Sequence, residues 1–204
     1  MCKVNFLHIS AGAVVLLALF IYLASPILSA AVLLAAVCHE LGHYLTLRAL
    51  GADVNRVRIS ALGAEMEVAG SDHLSYGNEM MAFFAGPLIN LILAFLLGYA
   101  GRWWAVLYPM AGAQLVLGIF NLLPVRPLDG GNILWIITAW ISEPFTADQI
   151  TKIAGFLTAG ALLALGCWLT FWQGGSPFLL LAAIGLIAGN LRKYACKTTG
   201  NRVK

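Results

Sequence analysis

The sequence predicts an all-α polytopic membrane protein with six transmembrane helices and a small β-hairpin between the second and third. Three observations predict it. Hydrophobic residues make up 61% of the 204 and charged residues only 10%, where a soluble domain carries about 25% charge. The apolar residues are gathered into runs close to the ~20 residues that cross a bilayer. One polar interval after the second run alternates with period two, which is a strand signal.

The runs fall at residues 6–25, 27–50, 80–101, 103–123, 153–172 and 177–191. The first has one preceding lysine and no clear small-residue cleavage site, so it reads as a retained helix rather than a removed signal peptide. Residues 133–141 form a further apolar stretch that is too short to span; it reads as a buried or interfacial helix. Between the second and third runs, residues 54–68 set Arg56, Arg58 and Ser60 against Val57, Ile59 and Ala61. After Leu62-Gly63, Ala64, Met66 and Val68 alternate with Glu65 and Glu67. Two alternating segments around a glycine predict a hairpin. No internal repeat and no soluble domain interrupts this order, so residues 1–204 read as a single transmembrane domain.

Charge sets the orientation. If the N-terminus is cytosolic and the chain crosses six times, Arg102 alone of the 12 lysines and arginines falls outside. That asymmetry predicts cytosolic termini, and Trp103-Trp104 fits the outer aromatic belt. The net charge of +3 comes from basic residues at segment ends, with no basic stripe for nucleic acid. Cys2, Cys38, Cys167 and Cys196 offer no close-spaced pair to suggest a disulfide framework or zinc ribbon, and read as small buried or membrane-flanking thiols. His8, in the first run, and His73, in a polar loop, have no spaced partner and read as ordinary residues.

The chemistry lies in His39-Glu40-Leu41-Gly42-His43. Residues i and i+4 share a helix face, so two imidazoles can grip one metal ion. Glu40 is about 100° round the helix from His39 and can reach water at the metal without ligating. Catalytic zinc takes three protein ligands and keeps one position open. The bland alternative is two helix histidines bonded to backbone or to each other; burial of ionisable groups in a bilayer weighs against it. For the third ligand, the carboxylate in the most suggestive setting is Asp129, after Pro124 and Pro127 and before Gly130-Gly131. The alternative for Asp129 is an N-cap of the helix beginning near Asn132, and the glycines read as a tight turn beside the metal.

These residues carry a resemblance. The HELGH motif in a membrane helix, with the later Leu128-Asp129-Gly130, resembles the site-2 protease family of intramembrane zinc metalloproteases. The run from Asn121 to Gly131 resembles most closely the sporulation stage IV protein FB branch, and Ala85-Gly86-Pro87-Leu88 also fits the family. The resemblance implies Zn2+ on His39, His43 and Asp129, Glu40 as the catalytic acid/base, and a cytosol-facing site. It implies a membrane-associated protein substrate, such as a transcription factor precursor or anti-sigma factor, in contact with the lipid bilayer, and regulatory membrane proteins as further partners. It places Asn90 and Asn121 near the site as polar supports; the alternative for both is interhelical hydrogen bonding. Many members of that branch carry a C-terminal nucleotide-binding regulatory domain, which is not expected here, nor is a PDZ-like insertion. A zinc transporter and an inactive membrane scaffold are the competing classes. A transporter wants sites along a path, whereas the sequence offers one cluster, and a scaffold does not need Glu40.

Overall fold

The structure is a computed structural model that describes residues 7–9, 11–60, 63–69, 75–172, 174 and 178–200. In chain order the elements are β1 (Leu7–Ile9), α1 (Ala11–Leu23), α2 (Pro26–Ala49), β2 (Asp53–Ser60), β3 (Gly63–Ala69), α3 (Tyr76–Ala100), α4 (Leu107–Asn121), α5 (Asp129–Ile141), α6 (Pro144–Trp172) and α7 (Phe178–Gly200). They divide into two compact units, Met1–Asn121 and Leu122–Lys204.

In the first unit α2, α3 and α4 pack on one another in all three pairs. Ser25 caps α2, its hydroxyl accepting from the Leu28 amide at 3.3 Å, and Pro26 follows at the first helical position, where a missing N–H costs nothing. The helix stops at Gly51, whose φ of 76° is the left-handed conformation that closes helices. Leu47, Ala52 and Ala82 form a small buried cluster with Val54 against it. That cluster fixes the start of β2 to the ends of α2 and α3.

The helices approach closely because small residues face one another. A Cβ added to Gly42 of α2 would lie 2.9 Å from the Ala85 carbonyl oxygen of α3. A Cβ added to Gly118 of α4 would lie 3.1 Å from Cβ of Asn90. In the second unit α6 packs against both α5 and α7, and Gly155 of α6 faces the fully buried Asn190 of α7.

The expected architecture of six spans and an isolated hairpin needs correction. Among the described residues, three helices are long and apolar enough to cross a membrane: α2, α3 and α6. An apolar run is not the same as a helix. The first run opens as strand β1, which leaves α1 with 13 residues, about 20 Å at 1.5 Å per residue. The fourth begins with a turn over residues 101–106, which leaves α4 with 15. The last is apolar only over Leu179–Leu191. The fifth is longer than its run, because α6 starts at Pro144. Residues 133–141 do lie in a short helix, α5.

The sheet also differs from a two-stranded hairpin. β2 and β3 pair antiparallel, Val57 opposite Met66 and Arg58 opposite Glu65, with an irregularity between Val54 and Arg56. β1 pairs parallel with the other side of β2, Leu7 opposite Val57 and Ile9 opposite Ile59. The order is β1-β2-β3. His8 therefore lies in a strand, opposite Arg58, and not in the first helix. His73 lies outside the described residues.

Candidate metal centre

His39 and His43 project from one face of α2, one turn apart, and α3 and α4 build their surroundings. His39 is buried and His43 half-buried. Their Nε2 atoms lie 3.1 Å apart, with the rings edge to face at a centroid distance of 4.7 Å.

The second nitrogens settle the tautomer of the neutral rings. Nδ1 of His43 is 2.7 Å from the Ala82 carbonyl oxygen in α3. A carbonyl can only accept, so that Nδ1 carries a proton and donates it. Nδ1 of His39 is 2.9 Å from Oδ1 of Asn90. The other end of the Asn90 amide donates to the Ala35 carbonyl at 3.2 Å and to Oε1 of Gln114 at 2.7 Å. Two acceptors fix that end as NH2, so Oδ1 faces His39 and takes its Nδ1 proton. In neutral imidazoles both Nε2 atoms are then left as lone pairs pointing at one spot.

Two lone pairs 3.1 Å apart repel unless a cation lies between them. With Zn–N bonds of ~2.0–2.1 Å at a tetrahedral centre, two nitrogens stand about 3.3 Å apart. The imidazole pair fits zinc without rearrangement. Gly86 of α3 makes the room: a Cβ there would lie 2.7 Å from Cε1 of His43 and 2.9 Å from Cε1 of His39.

Glu40 follows His39 on α2 and is half-buried, turned round the helix from the ligand face as the 3.6-residue period requires. Asp129 belongs to the second unit, where it is the first residue of α5. The capping position is held by Leu128, with no side-chain cap bond, so Asp129 is not the N-cap of a helix starting near Asn132. Its carboxylate sits in the first turn, where the helix dipole favours negative charge. Gly130 and Gly131 also serve differently from the sequence reading. Neither has a positive φ, so no tight turn calls for them. A Cβ on Gly130 would lie 2.7 Å from the Leu123 carbonyl oxygen, and one on Gly131 2.5 Å from the Arg126 nitrogen. The glycines let the turns and bends before Asp129 lie backbone to backbone on the start of α5.

Asn90 is placed as the resemblance implied. The Asn121 amide instead donates to the Leu117 carbonyl of its own helix at 3.1 Å. Sequence reasoning missed the roles of Gly86, Ala82 and Gln114. Gly86 had one available signal, as a glycine inside an apolar helix beside a proline.

Against known proteins, residues 27–102 and 97–165 match the model of Peptidase family M50. The chain belongs to that family. A zinc metalloprotease of Methanocaldococcus jannaschii is 32% identical over 136 residues, 63% of this chain and 38% of that protein. Stage IV sporulation protein FB of Bacillus subtilis is 26% identical over 149 residues, 68% of this chain and 49% of that protein. The chain thus spans half or less of the length of these relatives. Among solved structures, a site-2 protease from Methanocaldococcus jannaschii has the same fold, with a TM-score of 0.65 over 94% of this chain and 93% of that one, at 22% identity. As an M50 member with three membrane-length apolar helices, the chain is an integral membrane protein.

Proposed function

We propose that this M50 peptidase is an intramembrane zinc metalloprotease that hydrolyses a peptide bond of a membrane-associated protein. The observation that carries the proposal is the imidazole pair: two Nε2 lone pairs converge, and each opposing Nδ1–H is spent on a fixed acceptor. The zinc metalloprotease names of several relatives support zinc as the ion. With Asp129 as the third ligand that the family resemblance implies, the donor set is two neutral imidazoles and one carboxylate, which is a common composition for catalytic zinc.

A zinc ion held by His39, His43 and Asp129 would supply a Lewis acid for the scissile carbonyl and for water. Glu40 takes the proton of the attacking water and returns it to the leaving amine. Asn90 and the Ala82 carbonyl hold the two imidazoles through the reaction. A transcription factor precursor or an anti-sigma factor is the substrate class, and the arginine and lysine distribution supports cytosolic termini.

The sheet supports a way of holding substrate. Among the described residues β2 has a strand on each side, and β3 has β2 as its one neighbour. An extended substrate segment pairs with the remaining edge of β3, in the unwound form that hydrolysis needs. The experiment that tests the function is cleavage of a co-expressed membrane-tethered substrate by wild type and by Glu40→Gln. The substitution keeps zinc and abolishes cleavage. A Glu40→Gln protein that cleaves at the wild-type rate refutes the mechanism.

A further inference from the structure

We propose that Gln114 is a positioning residue, which holds His39 in the one tautomer that can ligate a metal. The inference rests on the metal reading of His39 and His43.

Gln114 reaches His39 through Asn90, to which it is hydrogen-bonded. It lies in α4 and is 1% exposed. Its Oε1 accepts from Nδ2 of Asn90 at 2.7 Å, the shortest bond that Asn90 makes. The other acceptor for Nδ2, the Ala35 carbonyl, is more distant at 3.2 Å. That carbonyl is also four residues before His39 in α2, so it already receives the helical N–H of His39. Gln114 is therefore the stronger anchor for the amide.

The direction of the amide decides the chemistry. With Nδ2 held by Gln114, Oδ1 faces His39 and draws the proton to Nδ1. Turned end for end, Asn90 would present an N–H to Nδ1. The neutral imidazole would then carry its proton on Nε2, and no lone pair would face His43. Gly118, one turn after Gln114 on the same face of α4, lets that helix close on Asn90, since a Cβ there would meet Cβ of Asn90 at 3.1 Å and the Pro87 carbonyl at 3.3 Å. Three helices thus contribute to one proton position: α4 holds the amide, α3 carries it, and α2 presents the ring.

The test uses two readouts on purified protein in detergent. Histidine 15N shifts of the metal-free protein report the tautomer of His39, and competition with a chelator reports zinc affinity. Wild type shows a single Nδ1–H form. Gln114→Leu shows a mixture of tautomers and binds zinc about 10-fold more weakly, at the lower end of what outer-shell partners of metal ligands contribute. Gln114→Glu keeps an acceptor and retains the wild-type tautomer and affinity. A carboxylate needs no orientation, so Asn90→Asp removes the effect of Gln114→Leu in the double variant. If Gln114→Leu does not fold, Gln114→Met, closer in length, takes its place with the same expectation. A single Nδ1–H tautomer with wild-type affinity in the apolar variant overturns the proposal, as does loss of both in Gln114→Glu. Failure of wild type to bind zinc refutes the metal reading instead, and the tautomer comparison still decides the role of Gln114.

Discussion

Replacing Gly86 with alanine adds one methyl group, and the structure says where it goes. The new carbon falls 2.7 Å from Cε1 of His43 and 2.9 Å from Cε1 of His39. Nε2 of His43 is nearer still, and unbonded carbons approach comfortably to roughly 3.5–4.0 Å, so α3 or the imidazoles must yield by at least about 0.8 Å. Metal–ligand distances tolerate only about ±0.2 Å. If the rings yield, the paired Nε2 atoms move out of register. If α3 yields, the Ala82 carbonyl and Asn90 leave the two Nδ1 atoms. Either way the site loosens, and misplacement on the order of 1 Å costs about 100-fold in rate. Zinc affinity falls by about 10–100-fold, as for other lost supports of metal ligands. The helix itself responds in the opposite sense, because alanine is favoured over glycine in a helix interior by about 1 kcal/mol. The assay pairs chelator competition with cleavage of a membrane-tethered substrate, with Gly112→Ala as control, since nothing lies within 4 Å of a Cβ there. Wild-type zinc affinity and cleavage in Gly86→Ala would show that the helices are not held as tightly as described.

Three further outcomes are expected. Asp129→Ala weakens zinc binding, measured by elemental analysis after dialysis against chelator; full zinc and activity would remove Asp129 from the donor set. Gly131→Ala places a Cβ 2.5 Å from the Arg126 nitrogen and lowers the thermal midpoint of the detergent-solubilised protein, whereas Gly160→Ala, with open space around it, does not. Proline at Ala64, Glu65 and Met66 in turn removes N–H groups that point alternately toward β2 and away from it, so cleavage falls in the variants whose lost N–H faced outward while zinc stays bound, and unchanged cleavage across the set would exclude substrate pairing on β3.

The pairing of His39 with His43 was legible in the sequence because its information is local. Two histidines one turn apart declare a shared face as soon as the helix is assigned. Asn90 lies 51 residues from His39, and nothing in spacing alone ties them; only the resemblance pointed to it. Gln114 and the Ala82 carbonyl were out of reach for the same reason, the latter because a backbone oxygen leaves no mark in a sequence. Gly130-Gly131 was noticed for its composition and misread in its cause, since a close approach and a left-handed turn both call for glycine. The spans were overcounted because hydropathy measures what surrounds a residue, not whether the backbone there is coiled. Leu7–Ile9 leads directly into an apolar run, yet it forms a strand, because β2 offered it a ladder of hydrogen bonds that no local pattern announces.

The parallel pairing of β1 with β2 has a consequence for how the chain can be threaded through a bilayer. Leu7 and Val57 lie side by side, so the path from one to the other must return to the side from which it left. Whatever the absolute orientation, residues 7–9 and 57–59 lie on one side, and the chain between them goes out and makes a round trip. The round trip also sets an order of events. During synthesis β1 emerges first and has nothing to pair with until α2 has been placed and β2 follows it. Closing that ladder joins the two ends of the α1–α2 segment, so the helix that bears both histidines belongs to a loop of chain closed by paired strands.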